Sequence, residues 1–495
     1  MKVVLAAYGS RGDVEPFAAV GRELLRRGHD VCMAVAPNSL GFVESAGLAA
    51  VAYGPEPAAF QSDSLKWFFG ACPPGQGGAD FVGNTNSQNP LGAMIEVMEH
   101  VAQAWADWGT TLKTLANGAD LILTGKGEQG LAANVAEYYD IPLAVLHFFP
   151  GGQPHPGGML GNIIKDAEDA QRRALGLPEA IGSFESLEIQ AYDELCFPDL
   201  AAEWAKQGGR SPFVGALTLE LPTDADDEVL SWIAAGTPPI YFGFGNNVQI
   251  PSPSQMAAEI SAACAQLGER ALICAGATDF AHIPHFDNIK VVGAVNHSAV
   301  FPACRAVVHH GGAGTTAAGI RAGIPTLILW FSLEDQSMWA AAVERLKVGS
   351  GREFAASTLA SLVADLRSIL TPQCVTRAGE VAAQMTKPAE SVASAADLLE
   401  EAVRRGRSAT VDGMSEVSDT DRIDDVAPGD IITVDRGSGQ QSYKVVFKDA
   451  TEAGYIVTLE GDGETFQLDL AAGTTVIRSL GSKWESVQSP TPNSE

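Results

Sequence analysis

The 495-residue chain has little cysteine and no long apolar run. Its seven cysteines are an odd number without any Cys-x-x-Cys spacing, which excludes a disulfide framework and a zinc-ribbon pattern. The opening MKVVLAAYGS is too short an apolar run for a signal peptide, and Ile324 to Phe331 is too short to cross a bilayer. These absences predict a cytoplasmic protein with reduced thiols and no transmembrane segment.

Basic residues are also scarce. The chain has 32 Lys and Arg against 60 Asp and Glu, which gives a formal net charge of -28 at pH 7. Such acidity argues against nucleic acid or an anionic membrane as a main partner. The hydrophobic content of 46% is enough for two or three cores in a chain of this length, so the composition predicts a large, soluble, multidomain enzyme.

Short apolar strands alternate with helical stretches in two long regions. Residues 1–211 contain KVVLAA, DVCMAVA, LAAVAY, ADLILTG and IPLAVLHFF, and residues 228–403 contain PIYFGFG, ALICAG, IKVVGAV, RAVVHHG and PTLILWF. Residues 212–227, rich in turn and acidic residues, are predicted to be a linker. The pattern predicts an α/β protein with two doubly wound domains.

The composition changes after Val403. Residues 404–425 are predicted to be a Ser/Asp-rich linker, and residues 426–487 contain five short β-like runs that predict a small all-β module. Residues 488–495 are expected to be a disordered tail. The module has no catalytic constellation, so binding an unknown partner, presenting substrate and stabilising the chain all stay open as its role.

The most informative segment, residues 307–339, is VVHHGGAGTTAAGIRAGIPTLILWFSLEDQSMW. A strand turns through HHGGAGTT into a helix, and small residues there let main-chain N–H groups approach a diphosphate. The helix N-terminus adds about half a positive charge. Asp335 and Gln336 follow the next strand, where a carboxylate beside an amide suits sugar hydroxyls. The segment predicts a sugar-nucleotide site.

The beginning of the chain has a second strand-to-helix turn, GSRGDVEPF. Asp13 lies in this turn, at the edge where parallel sheets bind ligands. An Asp before a helix is commonly a cap, so the pattern alone leaves capping and catalysis open for Asp13.

Together, the two segments resemble inverting GT-B glycosyltransferases, most closely sterol glucosyltransferases and bacterial enzymes that glycosylate lipids and antibiotics. The resemblance covers roughly residues 1 to 403. It implies two Rossmann-like domains that face across a cleft and a UDP-dependent hexosyltransferase that works by a single displacement. It implies no cofactor and no metal, since the sugar nucleotide, with UDP-glucose preferred, is a co-substrate.

The resemblance also implies residue roles. Asp13 is expected to be the general base, while Asp335 and Gln336 hold the donor sugar and His310 is a packed or capping imidazole. The remaining expected donor contacts are Ser10, Asn246, Val295, His309, Gly312, Gly314 and Thr315, with His309 on the diphosphate. Relatives commonly have a GFGS turn where this chain has Gly243-Phe244-Gly245-Asn246, which leaves the detailed donor geometry open.

The acceptor is expected to bind mainly to the first domain. Its aromatic candidates are Trp67 and Phe68, in a Gly/Pro-rich region, and His147, Phe148 and Phe149, which follow a strand. Aromatic residues at strand ends often complete a core, but the resemblance favours walls of an apolar acceptor site. The expected acceptor is a bulky apolar alcohol such as a sterol, lipid or polyketide aglycone.

Two short patterns are typical of other chemistries. Asp224-Ala225-Asp226 and Asp419-Thr420-Asp421 match the Asp-x-Asp metal pair of another glycosyltransferase fold, but both lie in linker-like sequence where solvated or helix-start residues are expected. Two alternative functions stay open, a sugar-nucleotide epimerase of the same fold and a non-catalytic sugar-nucleotide-binding or activator protein.

Overall fold

A computed structural model describes most of the chain. The described residues are 1–56, 90–150, 159–179, 184–206, 211–245, 252–276, 278, 283–331, 334–415, 420–423, 426, 428, 430–435, 440–451, 454–461, 464–472 and 474–479. The chain divides into two compact units, Met1–Val403 and Arg404–Glu495.

The first domain is built on a six-stranded parallel sheet with the order β3-β2-β1-β4-β5-β6. The strands are β1 Lys2–Ala7, β2 Asp30–Val35, β3 Ala49–Ala52, β4 Leu121–Gly125, β5 Leu143–His147 and β6 Leu187–Gln190. Strand β1 reads as a continuous apolar run because both of its faces are buried. Leu5 points into one core and Val4 into the other, since successive side chains of a strand alternate.

Helices cover both faces of this sheet. Helices α1 (Arg11–Arg26) and α2 (Leu40–Ser45) pack on one face, and α3 (Pro90–Ala116), α4 (Gln129–Tyr139) and α5 (Met159–Ala174) pack on the other. Helix α6 (Pro198–Ala205) follows β6. The apolar spacing predicted for α1 is present, although Leu25 is 44% exposed.

The second domain repeats this plan with the strand order β12-β11-β10-β7-β8-β9, again parallel throughout. Its strands are β7 Ile240–Gly243, β8 Ala271–Cys274, β9 Ile289–Val292, β10 Ala306–His309, β11 Thr326–Trp330 and β12 Gly349–Glu353. The helices are α7 Asp226–Ala234, α8 Pro253–Leu267, α9 His297–Val300, α10 Ala313–Arg321, α11 Glu334–Leu346, α12 Leu359–Ile369 and α13 Pro372–Ala382. The prediction of two doubly wound domains is therefore confirmed.

The segment predicted to be a linker packs partly on the first domain. The Gln190 N–H donates to the Pro212 carbonyl at 2.8 Å, and the side chain of Val214 is buried in the first core. The end of the same segment already belongs to α7, because Asp226 is the first residue of that helix.

The last helix of this unit, α14 (Pro388–Ser415), returns to the first domain. Its residues Leu399 and Val403 are buried in the same core as Leu24 of α1. At the surface, Arg27 Nη1 donates to Asp397 Oδ1 at 2.7 Å. The predicted second domain, residues 228–403, included residues 388–403. The helical spacing of apolar residues does not show which sheet a helix packs against.

The second unit contains a six-stranded antiparallel sheet in the order β13-β18-β14-β15-β16-β17. The strands are β13 Thr420–Arg422, β14 Ile431–Asp435, β15 Gln440–Thr451, β16 Gly454–Gly461, β17 Glu464–Ala471 and β18 Thr475–Ser479. Tyr443, Val445, Val457 and Leu459 form part of its own core, which confirms a small all-β module. Over the part of the chain that the structure describes, no helix is long and apolar enough to span a membrane.

Candidate active site

Each parallel sheet reverses its winding direction once, between β1 and β4 in the first domain and between β7 and β10 in the second. At such a switch point the loops after the strands diverge and leave a crevice at the carboxyl ends of the strands. Asp13 follows β1, and the histidine pair lies at the end of β10. The sequence-predicted base and phosphate turn therefore both lie at switch points.

Asp13 is held by the turn in which it lies. Its Oδ2 accepts hydrogen bonds from the Ser10 main-chain N–H at 2.6 Å and from the Ser10 hydroxyl at 2.7 Å. Gly9 has a φ of +140°, and a Cβ there would overlap the Asp13 carboxylate, so the turn needs glycine. Asp13 is thus both a capping residue of α1 and a group at the ligand edge. The hydroxyl of Ser10 is engaged with Asp13, and its contact with a donor phosphate stays a prediction.

A cavity of about 200 Å³ contains Asp13 at the switch point of the first domain. Burial raises the pKa of Asp13, although the hydrogen bonds from Ser10 act in the opposite direction. The cavity is mostly apolar, and its lining residues are Ala7, Tyr8, Asp13, Phe17, Gly125, Lys126, Gly127, Glu128, Leu146, His147, Phe148 and Phe149. A carboxylate in such surroundings is a stronger base than one in water.

Three of the five predicted acceptor residues line this cavity, namely His147, Phe148 and Phe149. The ring of Phe148 packs edge-on against Phe17 with centroids 6.4 Å apart and against Phe149 at 5.1 Å. Trp67 and Phe68 lie outside the described residues. The structure therefore brings the base and part of the predicted aromatic wall together.

His147 is fixed by a carboxylate behind it. Its Nε2 is hydrogen-bonded to Glu188 Oε2, and Gln129 Nε2 donates to Glu188 Oε1 at 2.9 Å. Burial acts to raise the pKa of Glu188, but the hydrogen bonds from His147 and Ser186 outweigh it, so that the pKa is lowered. The imidazole thus has a fixed orientation in the cavity wall.

Glu128 is a cavity residue that the sequence reasoning missed. Glu128 is the last residue of a short helical turn after β4, and it is 7% exposed. Burial raises the pKa of Glu128 to about 8, and the negative charge of Asp13 adds to this effect. The available signal was its place directly after a buried strand, but no motif marks it.

The phosphate turn has the predicted form. Strand β10 ends at His309, Gly312 is the N-cap, and α10 begins at Ala313. The first main-chain N–H groups of a helix have no partner within the helix, so those near Gly314 and Thr315 are suited to an anion. Gly311 has a φ of +97°, and a Cβ there would come within 3.1 Å of Gln336 Cα, so this turn also requires glycine.

The histidine pair differs from the expectation. His309 still pairs with Ile328 of β11 and is fully buried, with Nδ1 accepting from the Gly311 N–H at 3.0 Å. His310 has left the strand and is only half-buried. A Cβ on Gly312 would come within 2.8 Å of His310 Nε2, and one on Gly245 within 2.8 Å of His310 Cε1.

The two glycine turns therefore leave room for His310 at the ligand edge. His310 is thus the histidine of the pair that lies at the ligand edge, and the diphosphate contact expected of His309 stays a prediction. Burial lowers the pKa of His310 to about 4, against a hydrogen bond with the Gly243 carbonyl that raises it. The imidazole is therefore neutral near neutral pH, and its single N–H donates to one acceptor at a time, either the Gly243 carbonyl or a ligand.

Asp335 and Gln336 lie in the first turn of α11, beside the phosphate turn. Gln336 is 4% exposed, and its Oε1 accepts from the Phe331 N–H at 2.9 Å. This bond fixes the loop between β11 and α11. Asp335 is half-buried, and contact of both residues with a donor sugar stays a prediction.

Val295, one of the expected donor contacts, lies in a segment whose side chains are engaged largely in packing. Val295 is 7% exposed and belongs to the same core as Tyr241, whose hydroxyl lies 3.1 Å from His297 Nε2. Burial lowers the pKa of His297 to about 4, and the next largest cause is the positive charge of Arg11. Arg11, at the start of α1, therefore lies close enough to act electrostatically on the second domain. Asn246 is outside the described residues.

The Asp-x-Asp pattern in the linker has a structural role. Asp226 accepts from the Thr223 N–H at 2.8 Å, from the Thr223 hydroxyl at 2.7 Å and from the Asn296 N–H at 2.9 Å. These bonds join the start of α7 to the loop before α9. Within the described ranges, no group of three or more His, Cys, Asp or Glu side chains could hold a metal ion.

Comparisons with known proteins agree with this geometry. Residues 3–65 match the glycosyltransferase family 28 N-terminal domain, and residues 263–401 match the C-terminal domain of erythromycin biosynthesis protein CIII-like proteins. The chain is 56% identical over 438 residues to an uncharacterized glycosyltransferase of Mycobacterium leprae, covering 83% of this chain and 99% of the relative. A sterol 3-beta-glucosyltransferase of Arabidopsis thaliana is 29% identical over 383 residues, covering 70% of this chain and 57% of the relative.

Solved structures show the same fold at low identity. The calicheamicin glycosyltransferase CalG4 superimposes with a TM-score of 0.59 at 18% identity, covering 82% of this chain and 99% of CalG4. SnogD from Streptomyces nogalater gives a TM-score of 0.55 at 20% identity, covering 81% and 99%. SsfS6 of Streptomyces sp. SF2575, complexed with thymidine diphosphate, gives a TM-score of 0.53 at 19% identity, covering 81% and 99%.

Proposed function

The chain belongs to the GT-B glycosyltransferases, and from that membership we propose that it transfers a hexose from a UDP-hexose to a hydroxyl group of a bulky apolar acceptor, with inversion at the anomeric carbon. The observation that carries the proposal is the half-buried carboxyl group of Asp13 in a mostly apolar cavity at the switch point of the first sheet. A sterol, lipid or polyketide aglycone matches these walls better than a free sugar does.

The reaction is a single displacement. The acceptor oxygen forms a bond to the anomeric carbon, its proton passes to Asp13, and the bond from that carbon to the phosphate oxygen breaks with its electron pair leaving on the diphosphate. A base assists most when its pKa lies close to the working pH, so the raised pKa of Asp13 favours this role. No covalent intermediate with the protein is formed.

The leaving group is stabilised by fixed donors. We assign the diphosphate to the main-chain N–H groups of Gly314 and Thr315 and to the imidazole of His310, because these surround the glycine turns at the second switch point. Such preorganised donors stabilise charge as it develops. The positive charge of Arg11 adds to this field from the first domain.

The donor sugar is assigned to Asp335 and Gln336, which follow β11 beside the phosphate turn. Glucose is the preferred sugar because one relative is named a sterol 3-beta-glucosyltransferase. UDP is preferred from the resemblance to sterol glucosyltransferases, and dTDP is the alternative because SsfS6 has been solved with thymidine diphosphate. We infer that neither a metal nor a resident cofactor takes part, since the main-chain amides at the N-terminus of α10 supply the positive potential. The acidic chain and the free thiols of its six described cysteines support a cytoplasmic location.

The test is a panel of sugar nucleotides, UDP- and dTDP-linked, incubated with apolar alcohols and analysed for products by mass spectrometry, with and without chelator. We expect a hexosylated alcohol of inverted anomeric configuration and full activity in chelator. Conversion of the sugar nucleotide without any acceptor would instead identify an epimerase. Donor binding without transfer or slow hydrolysis would identify a non-catalytic binding protein.

A further inference from the structure

Glu128 is a second carboxyl group in the cavity that contains Asp13. The two residues meet because β1 and β4 are parallel neighbours, with Ala6 opposite Thr124, so the loops after both strands leave the same edge of the sheet. Both carboxyl groups line the cavity, and there is no hydrogen bond between them. The Oδ2 atom of Asp13 instead accepts two hydrogen bonds from Ser10. Space for a substrate atom therefore adjoins both carboxyl groups.

Among the described residues no cation forms an ion pair with Glu128, although Lys126 lines the same cavity. The titratable groups that face it or share its cavity are Asp13 on α1, Tyr8 after β1, Tyr53 after β3, His147 at the end of β5, and Lys126 on its own turn. The Tyr8 main-chain N–H donates to the Glu128 carboxyl group. Burial lowers the pKa of Lys126, and the negative charge of Glu188 acts to raise it. Glu128 makes no ion pair within the described part of the chain.

Main-chain N–H groups of Tyr8 and of Glu128 itself donate to the Glu128 carboxyl group, and they leave it without a charged partner. An isolated buried carboxylate is costly, and a carboxyl group without a charged partner stays neutral instead. Burial, together with the charge of Asp13, raises the pKa of Glu128 to about 8. The two carboxyl groups of this apolar cavity thus differ in their surroundings, because Asp13 accepts two hydrogen bonds from Ser10 whereas Glu128, with its pKa of about 8, is protonated near neutral pH.

We propose that Glu128 positions the acceptor hydroxyl group for Asp13, by donating a hydrogen bond from its protonated carboxyl group to the acceptor oxygen. This inference rests on the proposed function. An alcohol oxygen has two lone pairs, so one accepts from Glu128 while the other attacks the anomeric carbon. The proton of the alcohol passes to Asp13, and Glu128 keeps its own proton throughout.

The experiment follows the pH dependence of transfer. With wild type, Glu128→Gln and Glu128→Ala, kcat and the acceptor KM are measured from about pH 6 to about pH 10, a range that spans the pKa of about 8. In wild type we expect kcat/KM for the acceptor to fall above that pKa and to level off about fivefold to tenfold lower, because the ionised group cannot donate a hydrogen bond.

The two variants separate the effect of the hydrogen-bond donor from the effect of the negative charge at residue 128. Glutamine keeps an N–H donor and cannot ionise, so we expect Glu128→Gln to lose the alkaline fall. Alanine has no hydrogen-bond donor, so we expect Glu128→Ala to have, at all pH values, an acceptor KM about fivefold to tenfold above that of wild type at neutral pH. Its affinity for the sugar nucleotide is expected to be unchanged. Unchanged donor affinity also shows that both variants are folded.

Glu168 provides a matched control. It is a buried carboxyl group of the same domain whose pKa burial raises to about 7, and it packs against Gly130 of α4, away from the cavity residues. We expect Glu168→Gln to keep the alkaline fall. If Glu128→Gln also kept it, or if Glu128→Ala changed donor affinity and not the acceptor KM, the inference would be wrong.

A direct measurement of protonation accompanies the kinetics. The infrared spectrum of wild type near neutral pH is expected to contain a carboxylic acid C=O band that disappears in Glu128→Gln, and absence of that difference would contradict the inference. Wild-type transfer with an unchanged Glu128→Gln profile overturns the inference alone. Failure of wild type to transfer from any donor overturns the proposed function, and the inference with it.

Discussion

Replacing Asp13 by asparagine separates its chemical role from its structural one. Both Ser10 donors point at a single oxygen of Asp13, at 2.6 and 2.7 Å. Asparagine can present its amide oxygen to both donors and leave its NH₂ group toward the cavity. The substitution therefore keeps the turn and removes the negative charge and the base.

The expected size of the effect follows from these contacts. A positioned base contributes about 10²- to 10⁴-fold to a rate, so we expect turnover of Asp13→Asn to fall by that factor, equivalent to about 3–5 kcal/mol in the barrier. The free energy of unfolding is expected to change by less than about 1 kcal/mol, because the cap hydrogen bonds remain. Since burial raises the pKa of Asp13, removal of its charge also relieves a desolvation cost.

The assay combines product detection by mass spectrometry with donor titration by calorimetry and with thermal unfolding. Asp13→Ala is the control, because it loses the bonds to Ser10 as well as the base and is expected to be less stable than Asp13→Asn. Near-wild-type turnover of Asp13→Asn, with donor affinity intact, would reject Asp13 as the base.

Four further predictions concern other parts of the chain. His310→Ala is expected to weaken donor binding and turnover by about tenfold or more. His309→Ala is expected to lower the free energy of unfolding by about 1–3 kcal/mol, with donor affinity near wild type. Calorimetry and denaturant unfolding distinguish the two variants, and the reverse result would assign the diphosphate contact to His309. Asp335→Ala is expected to weaken binding of UDP-glucose much more than binding of free UDP, and equal losses by calorimetry would place Asp335 away from the sugar. Because the pKa of Glu128 is raised in the folded state from 4.5 to about 8, wild type is expected to lose stability as the pH rises through that range, by on the order of 5 kcal/mol at most, relative to Glu128→Gln. The same pH dependence of the unfolding free energy in both proteins, measured by denaturant unfolding, would contradict this. A chain ending at Arg407 is expected to fold and to transfer to a small acceptor, and a soluble, donor-binding truncation without any transfer would assign the β module to the active site.

The fold was predictable because its signals are local. The central strands are short apolar runs. The turns at Gly9 and Gly311 require glycine, which is visible in the sequence. The GT-B architecture and membership of the glycosyltransferases are confirmed. The donor, the acceptor and the individual contacts stay predictions.

What the sequence leaves open depends on long-range strand pairing. Whether His309 or His310 reaches the ligand edge depends on where β10 stops pairing with β11, and a run of two histidines does not reveal that residue. Glu128 becomes a neighbour of Asp13 only because β4 pairs with β1, more than a hundred residues earlier in the chain. Its raised pKa is a property of that enclosure and has no sequence signature.

The return of α14 to the first domain has a consequence for biosynthesis. The apolar surface of Leu24 is covered by Leu399 and Val403, which a ribosome synthesises only after the whole second domain. The nascent first domain therefore emerges with part of its core exposed to water, and it has to wait, or be shielded by a chaperone, until the last helix leaves the exit tunnel. A chain released early, before residue 388, would carry this uncovered surface permanently and would aggregate even though every strand of both parallel sheets had been made.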